Sequence, residues 1–182
     1  AIQKLARALR STQISGIETN QSMILSVLAE HDYQQAETPI SYLQDHPEVL
    51  DKQELNPHDH NALLLGAVFA LEFQERNNGM ITGFTPSGWR NLRTQGQRQI
   101  WESQYGEDHI EYTIDKNKVT VLLGAWPEPQ EDGTLPEDNR IQLHVRLLSQ
   151  STDQQIIEID NRRQVIKTSI NNDTVDTQSR FG

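Results

Sequence analysis

The chain has 182 residues with no cysteine, and its 16 basic and 26 acidic side chains leave a formal charge of -10 at neutral pH. Disulfides, thiolate nucleophiles and thiolate metal sites are therefore excluded, and the absence of a basic run argues against nucleic acid as a partner. Only 35% of the residues are apolar, so a core must be concentrated in a few segments.

The sequence contains no stretch typical of a targeting or membrane-spanning segment. No apolar run approaches the roughly 20 residues that a membrane helix needs. The chain starts with Ala1, and the residues that follow lack the apolar centre of a signal peptide. We therefore expect a segment of a longer, cytoplasmic polypeptide.

Residues 1–45 predict a helix, a short strand and a second helix. Ile2, Leu5 and Leu9 recur at helical spacing up to about residue 10, and residues 19–20 supply caps for the second helix. Between them, Ile14 and Ile17 flank a glycine in a strand-like run. A lone strand cannot satisfy its own backbone, so we expect it to join a sheet whose other strands precede Ala1.

A polar segment and a strongly apolar helix come next. Residues 46–60 contain Pro47 and Pro57 and indicate a linker between two domains. The Asn56-Pro57 pair opens a helix in which residues 62–73 are apolar nearly all round, which predicts burial on most sides. Asn78 and Gly79 are typical of its C-terminal end.

The remaining sequence predicts an antiparallel sheet. Six runs alternate or are β-branched: residues 98–103, 109–115, 118–126, 140–150, 154–160 and 162–170. In the fourth run, Ile141, Leu143, Val145 and Leu147 should face the core. Such strands form a curled sheet or barrel, which the apolar helix would fill or close. Residues 171–182 resemble the start of another linker.

Candidate catalytic and metal-binding residues are weak throughout. The pair His58 and His60 lacks a nameable third or fourth ligand and is better explained as polar residues at a helix entry. His31 and His46 are ordinary loop residues by this reasoning, and His109 and His144 lie on solvated strand faces. Ser87 does not fit a nucleophile elbow, and no phosphate-binding glycine loop with a lysine occurs. We therefore predict no catalytic residue and no metal ligand.

The turn predicted for residues 83–91 contains Trp89 beside Arg90. One interpretation is structural: Trp89 plugs the end of a barrel while Arg90 covers it. The other is a protein interface, because tryptophan and arginine are enriched at interface hot spots. Both interpretations remain open on the sequence alone.

Two stretches together resemble biotin-dependent acyl-CoA carboxylases. Residues 4–33 and 38–50 look like the C-terminal end of the biotin carboxylase domain, which has an ATP-grasp fold. The matching residues are Ala8, Leu9, Ile14, Gly16, Ile17, Thr19, Asn20, Thr38, Ile40 and Leu43. The apolar helix, the sequence SGWRN at residues 87–91 and the strands are similar to the BT domain of this family. That domain holds a long helix in an antiparallel β-barrel and mediates contact between the biotin carboxylase and carboxyltransferase components.

The resemblance implies an α+β chain in four parts. Residues 1–45 would end the biotin carboxylase domain as a partial ATP-grasp α-β-α segment, and residues 46–60 would be the linker. Residues 61–176 would be the BT-like barrel around or against its helix, and residues 177–182 would lead towards a biotin carrier domain.

The resemblance implies a structural function for this chain and an enzymatic function for its parent, the longer protein of which the chain would be a segment. The parent, a ligase, would carboxylate biotin with ATP, Mg²⁺ and bicarbonate and pass the carboxyl group to an acyl-CoA. This segment would bind no cofactor itself, because the ATP-grasp lysines and metal carboxylates would precede Ala1. Ile40 aligns with a wall of the adenine pocket, although core packing explains it equally well. The alternative is a free-standing β-barrel that binds a small ligand, with its helix as a lid.

Overall fold

The computed structural model describes residues 1–17, 19–50, 55–78, 96–127 and 137–179. Its α-helices are α1 (Ile2–Ser11), α2 (Gln21–Ala29), α3 (His31–Gln34), α4 (Tyr42–Asp45) and α5 (Pro57–Asn78), with a 3₁₀ turn at Pro47–Val49. The strands are β1 (Gln97–Ser103), β2 (Gly106–Asp115), β3 (Lys118–Leu123), β4 (Ile141–Gln150), β5 (Gln154–Ile159), β6 (Arg162–Asn171) and β7 (Thr174–Gln178). None of the described helices is both long and apolar enough to cross a membrane.

The seven strands form one sheet in the order β1-β2-β3-β4-β5-β6-β7. Strands β1 to β5 pair antiparallel with their neighbours in the chain, and β6 pairs antiparallel with β7. Tyr112 of β2, for example, is in register with Val121 of β3. A two-residue turn joins β5 to β6, where Asp160 and Asn161 both adopt positive φ, at 47° and 64°. Aspartate and asparagine tolerate this left-handed backbone better than most residues do, and it suits tight hairpins. The predicted α+β class with an antiparallel sheet is confirmed.

The residues group into two compact units, Ala1–Val68 with Ile166–Gly182, and Phe69–Val165. In the first unit, Leu65, Val68 and Ile166 are fully buried. Gly66 lies so close to β6 that a Cβ atom built on it would be 2.5 Å from Ile166 Cγ2. The first half of α5 therefore packs its backbone against this strand.

The core of the second unit lies where the end of α5 meets the sheet. Phe69 is fully buried and meets the ring of Tyr112 edge-on, with ring centroids 6.2 Å apart. Gln150 Nε2 donates a hydrogen bond to Phe69 O at 3.3 Å. The buried side chains of the strands include Ile110, Val119, Val121, Leu143, Val145, Ile157 and Ile159. These side chains form the buried apolar face of strands β2 to β5.

The beginning of α5 follows from its capping residues. Asn56 Oδ1 accepts a hydrogen bond from the backbone amide of Asp59 at 2.9 Å, and Asn56 Nδ2 donates to Asp59 Oδ2 at 2.6 Å. This arrangement satisfies an amide that would otherwise lack a partner in the first turn. Pro57, at the first helical position, has no amide hydrogen to satisfy.

The described residues between α1 and α2 form no strand. The partial ATP-grasp α-β-α segment predicted for residues 1–45 is therefore not confirmed. Gly16 adopts a φ of 82°, which is left-handed backbone and interrupts an extended run. This short connection makes its hydrogen bonds with side chains and not in a strand ladder.

Two further details of the sheet differ from the prediction. Residues 174–178 form β7, although they were expected to begin a linker. Asn172, with a φ of 52°, supplies the left-handed residue of the turn that joins β6 to β7.

Ile141 was expected to face the core but is 59% exposed. It lies at the first residue of β4, whereas Leu143 and Val145 further along that strand are buried.

Candidate functional site

Residues 11–16, which connect α1 to α2, are hydrogen-bonded to the β6–β7 hairpin. Three hydrogen bonds join the backbone of this connection to side chains of the hairpin: Lys167 Nζ to Ser11 O at 3.0 Å, Gln178 Nε2 to Thr12 O at 3.1 Å, and Gly16 N to Asp176 Oδ2 at 2.9 Å. The hydroxyls of Ser15 and Ser169 also meet at 3.3 Å. The connection between α1 and α2 is thus attached to the β6–β7 hairpin by side-chain hydrogen bonds.

Many large apolar side chains of residues 1–50 remain in contact with solvent. α1 has an amphipathic pattern but none of its residues is buried. Leu5 is 50% exposed and Ile17 is 71% exposed, and other apolar side chains of these residues are also exposed: Ile14, Ile24, Ile40, Leu43 and Leu50. Apolar side chains of this kind mark a binding surface where they form one contiguous patch.

The three site residues predicted from the sequence fall in different parts of the chain. Trp89 and Arg90 lie outside the described residues. Ile40 lies in the turn before α4 and is fully exposed, so it packs in no core formed by the described residues.

The histidines occupy varied environments. His58 and His60 lie in the first turn of α5, as expected of helix-entry residues. His144 is exposed on β4, in agreement with the prediction. His109 is partly buried, because its ring meets the ring of Trp126 with centroids 4.8 Å apart. The strand face predicted to be solvated is thus only partly open to solvent at His109, whose side chain is 23% exposed.

An ion network fixes the start of β4 against β2. Arg140 donates to Glu111 Oε2 at 2.7 Å and to both carboxylate oxygens of Asp138, at 2.8 Å and 2.7 Å. Arg98 also donates to Glu111 Oε2, at 3.0 Å. The hydrogen bond from Arg140 lowers the pKa of Asp138 to about 2. Every acidic group in this network has a basic partner, which indicates a structural role.

Sequence reasoning missed a group of ionisable side chains around His46. Its two ring nitrogens face different carboxylates: Nδ1 lies 3.0 Å from Glu48 Oε1, and Nε2 lies 3.4 Å from Asp32 Oδ2. The hydrogen bond to Glu48 raises the pKa of His46 above its ordinary value, with smaller contributions from Asp32 and Glu30. The sequence signal is two short runs, EHD at 30–32 and HPE at 46–48, which the fold brings together.

No protein-family model and no curated protein matches the chain. The resemblance to biotin-dependent carboxylases therefore stays a prediction.

Proposed function

We propose that this chain is a non-catalytic segment of a biotin-dependent acyl-CoA carboxylase and that its sheet docks the components of the enzyme. The parent protein would carboxylate biotin with ATP, Mg²⁺ and bicarbonate and transfer the carboxyl group to an acyl-CoA. The segment would keep the biotin carboxylase and carboxyltransferase components close together, so that a carrier-bound biotin reaches both. Its contribution is an increased effective concentration and not a chemical step.

The observation that carries the proposal is the attachment of residues 11–16 to the β6–β7 hairpin. A docking domain must hold the end of one component by contacts outside its own core. Gly16 N to Asp176 and Lys167 to Ser11 O are such contacts, because they join residues more than 150 positions apart in the chain. The individual bonds are exposed and each contributes only about 0.5–1.5 kcal/mol.

The exposed apolar side chains of residues 1–50 support the same proposal. A segment that ends a larger domain would leave apolar surface that the rest of that domain covers. Leu5 and Ile17 are exposed in this way. The burial of residues 64–70 of α5 supports a BT-like helix held by the sheet. The resemblance assigns Trp89 and Arg90 to the turn after this helix, where we propose that they bind the carboxyltransferase component.

The test is the binding of this chain to the carboxyltransferase component of the same organism's acyl-CoA carboxylase, measured by isothermal titration calorimetry. We expect the wild-type chain to bind and Trp89→Ala to bind about 30-fold more weakly, as for a hot-spot residue. The melting temperature of Trp89→Ala should match that of the wild type. Trp101→Ala removes a tryptophan of β1 outside the predicted turn and serves as the matched control, with binding retained.

Two results would contradict parts of this proposal. If the wild-type chain does not bind the carboxyltransferase component, the docking function is wrong. If Trp89→Ala lowers the melting temperature and leaves binding intact, docking holds but Trp89 is a structural plug. Saturable binding of a fluorescent apolar probe, in the absence of carboxyltransferase binding, would favour the small-ligand barrel.

A further inference from the structure

A histidine and two glutamates from separate parts of the chain come together beside α4. Glu30 directly precedes α3, His46 directly follows α4, and Glu48 lies in the 3₁₀ turn. One potential ligand atom from each of these three residues lies within 4.8 Å of the other two. One imidazole nitrogen and two carboxylate oxygens form a donor set that divalent transition metals bind.

The spacing of the nearest pair fits a shared metal ion. Two ligand atoms that bind one tetrahedral zinc at about 2.0–2.2 Å lie about 3.3–3.6 Å apart. His46 Nδ1 and Glu48 Oε1 are 3.0 Å apart, so a small outward movement would admit the ion. The side chain of Glu48 is 57% exposed and can make this movement without disturbing a core.

The other ring nitrogen has the partner that a metal-bound histidine requires. His46 Nε2 lies 3.4 Å from Asp32 Oδ2. A metal ligand histidine usually donates its second N–H to a carboxylate, which fixes the tautomer and increases the basicity of the ligating nitrogen. Nδ1 lies 3.0 Å from the Glu48 carboxylate and therefore carries a proton in the metal-free protein. The ion would displace this proton to solvent, and Asp32 would hold the proton that remains on Nε2.

A buried hydroxyl beside the group provides an independent indication of a ligand. Tyr42 is only 7% exposed, its ring centroid lies 4.6 Å from that of His46, and its hydroxyl has no hydrogen-bond partner among the residues that the structure describes. Burial raises the pKa of Tyr42, and the negative charges of Glu30, Asp32 and Glu48 add to this effect. A water bound to a metal ion at this position would give it a partner.

We propose that Glu30, His46 and Glu48 bind a divalent transition-metal ion, with zinc as the best match. Asp32 acts as a positioning residue for the imidazole, and a water completes the coordination next to Tyr42. Zinc fits better than Mg²⁺, because Mg²⁺ prefers oxygen ligands and keeps most of its water. The ion would link the segment before α3 to the segment after α4. This proposal does not depend on the carboxylase assignment.

The test is a titration of the full chain with ZnCl₂ and, separately, MgCl₂ after removal of metals with a chelator. We expect zinc to bind with one-to-one stoichiometry at least about 100-fold more tightly than magnesium. Glu48→Gln and His46→Gln should weaken zinc binding at least tenfold. Asp32→Asn should weaken it about tenfold, as expected for an outer partner of a ligand. The matched controls Glu37→Gln and His31→Gln change a carboxylate and an imidazole outside the group and should bind zinc like the wild type.

A nitrogen-detected NMR spectrum of the histidine rings identifies the ligand atom. Zinc should shift the Nδ1 resonance of His46 while its Nε2 remains protonated. Glu48→Gln alters an exposed side chain, so it tests the site even if His46→Gln fails to fold. Equal zinc affinity in the wild type and Glu48→Gln, or binding of magnesium as tight as that of zinc, would overturn the proposal. Unchanged His46 resonances on zinc addition would also overturn it.

Discussion

Replacing Gly66 with alanine should destabilise the protein although alanine is the better helix former. In an exposed helix this change stabilises by about 0.5–1 kcal/mol. Here the added Cβ would lie 2.5 Å from Ile166 Cγ2 and 3.1 Å from Ile166 Cβ. Ile166 is fully buried, so it cannot swing into solvent. Overpacking of this kind costs about 1–3 kcal/mol, and we expect a net loss of about 1–2 kcal/mol in the free energy of unfolding.

A double-mutant cycle separates the clash from the helix propensity. Ile166→Ala alone should cost about 2–5 kcal/mol through the cavity that it leaves. In that background the 2.5 Å contact with Cγ2 is gone and only the 3.1 Å contact with the remaining Cβ is left. Gly66→Ala should therefore be close to neutral or stabilise by up to about 0.5 kcal/mol. The two changes are therefore coupled by about 2 kcal/mol. Chemical denaturation followed by circular dichroism measures all four free energies of unfolding.

The matched control uses the neighbouring position of β6. Val165 is 42% exposed, so Val165→Ala should leave the effect of Gly66→Ala unchanged. Two results would refute this packing. Gly66→Ala could stabilise the wild type, or it could change the free energy of unfolding by the same amount with isoleucine and with alanine at position 166. Either result would mean that α5 does not pack its backbone against β6.

Three further predictions follow from individual contacts. Asp176→Ala removes the acceptor of the Gly16 amide, so hydrogen exchange of this amide, measured by NMR, should become faster. Asp173→Ala changes another carboxylate of the same hairpin and should leave the exchange rate unchanged. Equal rates in the wild type and both variants would contradict the contact. Arg140 lowers the pKa of Asp138 from 3.8 to about 2, so the ionised carboxylate stabilises the fold above about pH 4, and this stabilisation is lost as the pH falls through about 2. The carboxyl carbon of Asp138 should titrate near pH 2 by NMR, and a midpoint near 3.8 would contradict the ion pair. Phe69→Ala should lower the free energy of unfolding by about 3–5 kcal/mol, because the buried ring fills the space beside Tyr112. Chemical denaturation measures this change, and a loss below about 1 kcal/mol would contradict the packing.

The regular elements were largely predictable because their signals are local. Alternation in β4 and the capping pair of Asn56 and Pro57 are determined by neighbouring residues. β7 was missed because Thr174 to Gln178 contain a single large apolar side chain, Val175, and the strand is stabilised by pairing with β6. The strand expected around Ile14 is not confirmed, and the backbone there makes hydrogen bonds with side chains of the β6–β7 hairpin.

The candidate sites depended on information that a linear sequence carries poorly. Glu30 and His46 are separated by two helical segments, and only the fold brings them together with Glu48. Each residue alone is typical of a solvated loop, so the histidine was not singled out. Ile40 is exposed because no described segment packs over it. Its neighbours in the sequence do not indicate whether a segment does so.

The most direct test of the docking proposal is whether the polypeptide that contains this sequence also carries biotin. An extract of the source organism is separated under denaturing conditions, and one blot is probed with antibody raised against this chain and with labelled streptavidin. The account predicts a single band, well above the 20.8 kDa of this chain, that gives both signals. A biotin-free band, at 20.8 kDa or at any larger size, would contradict membership of a biotin-bearing carboxylase.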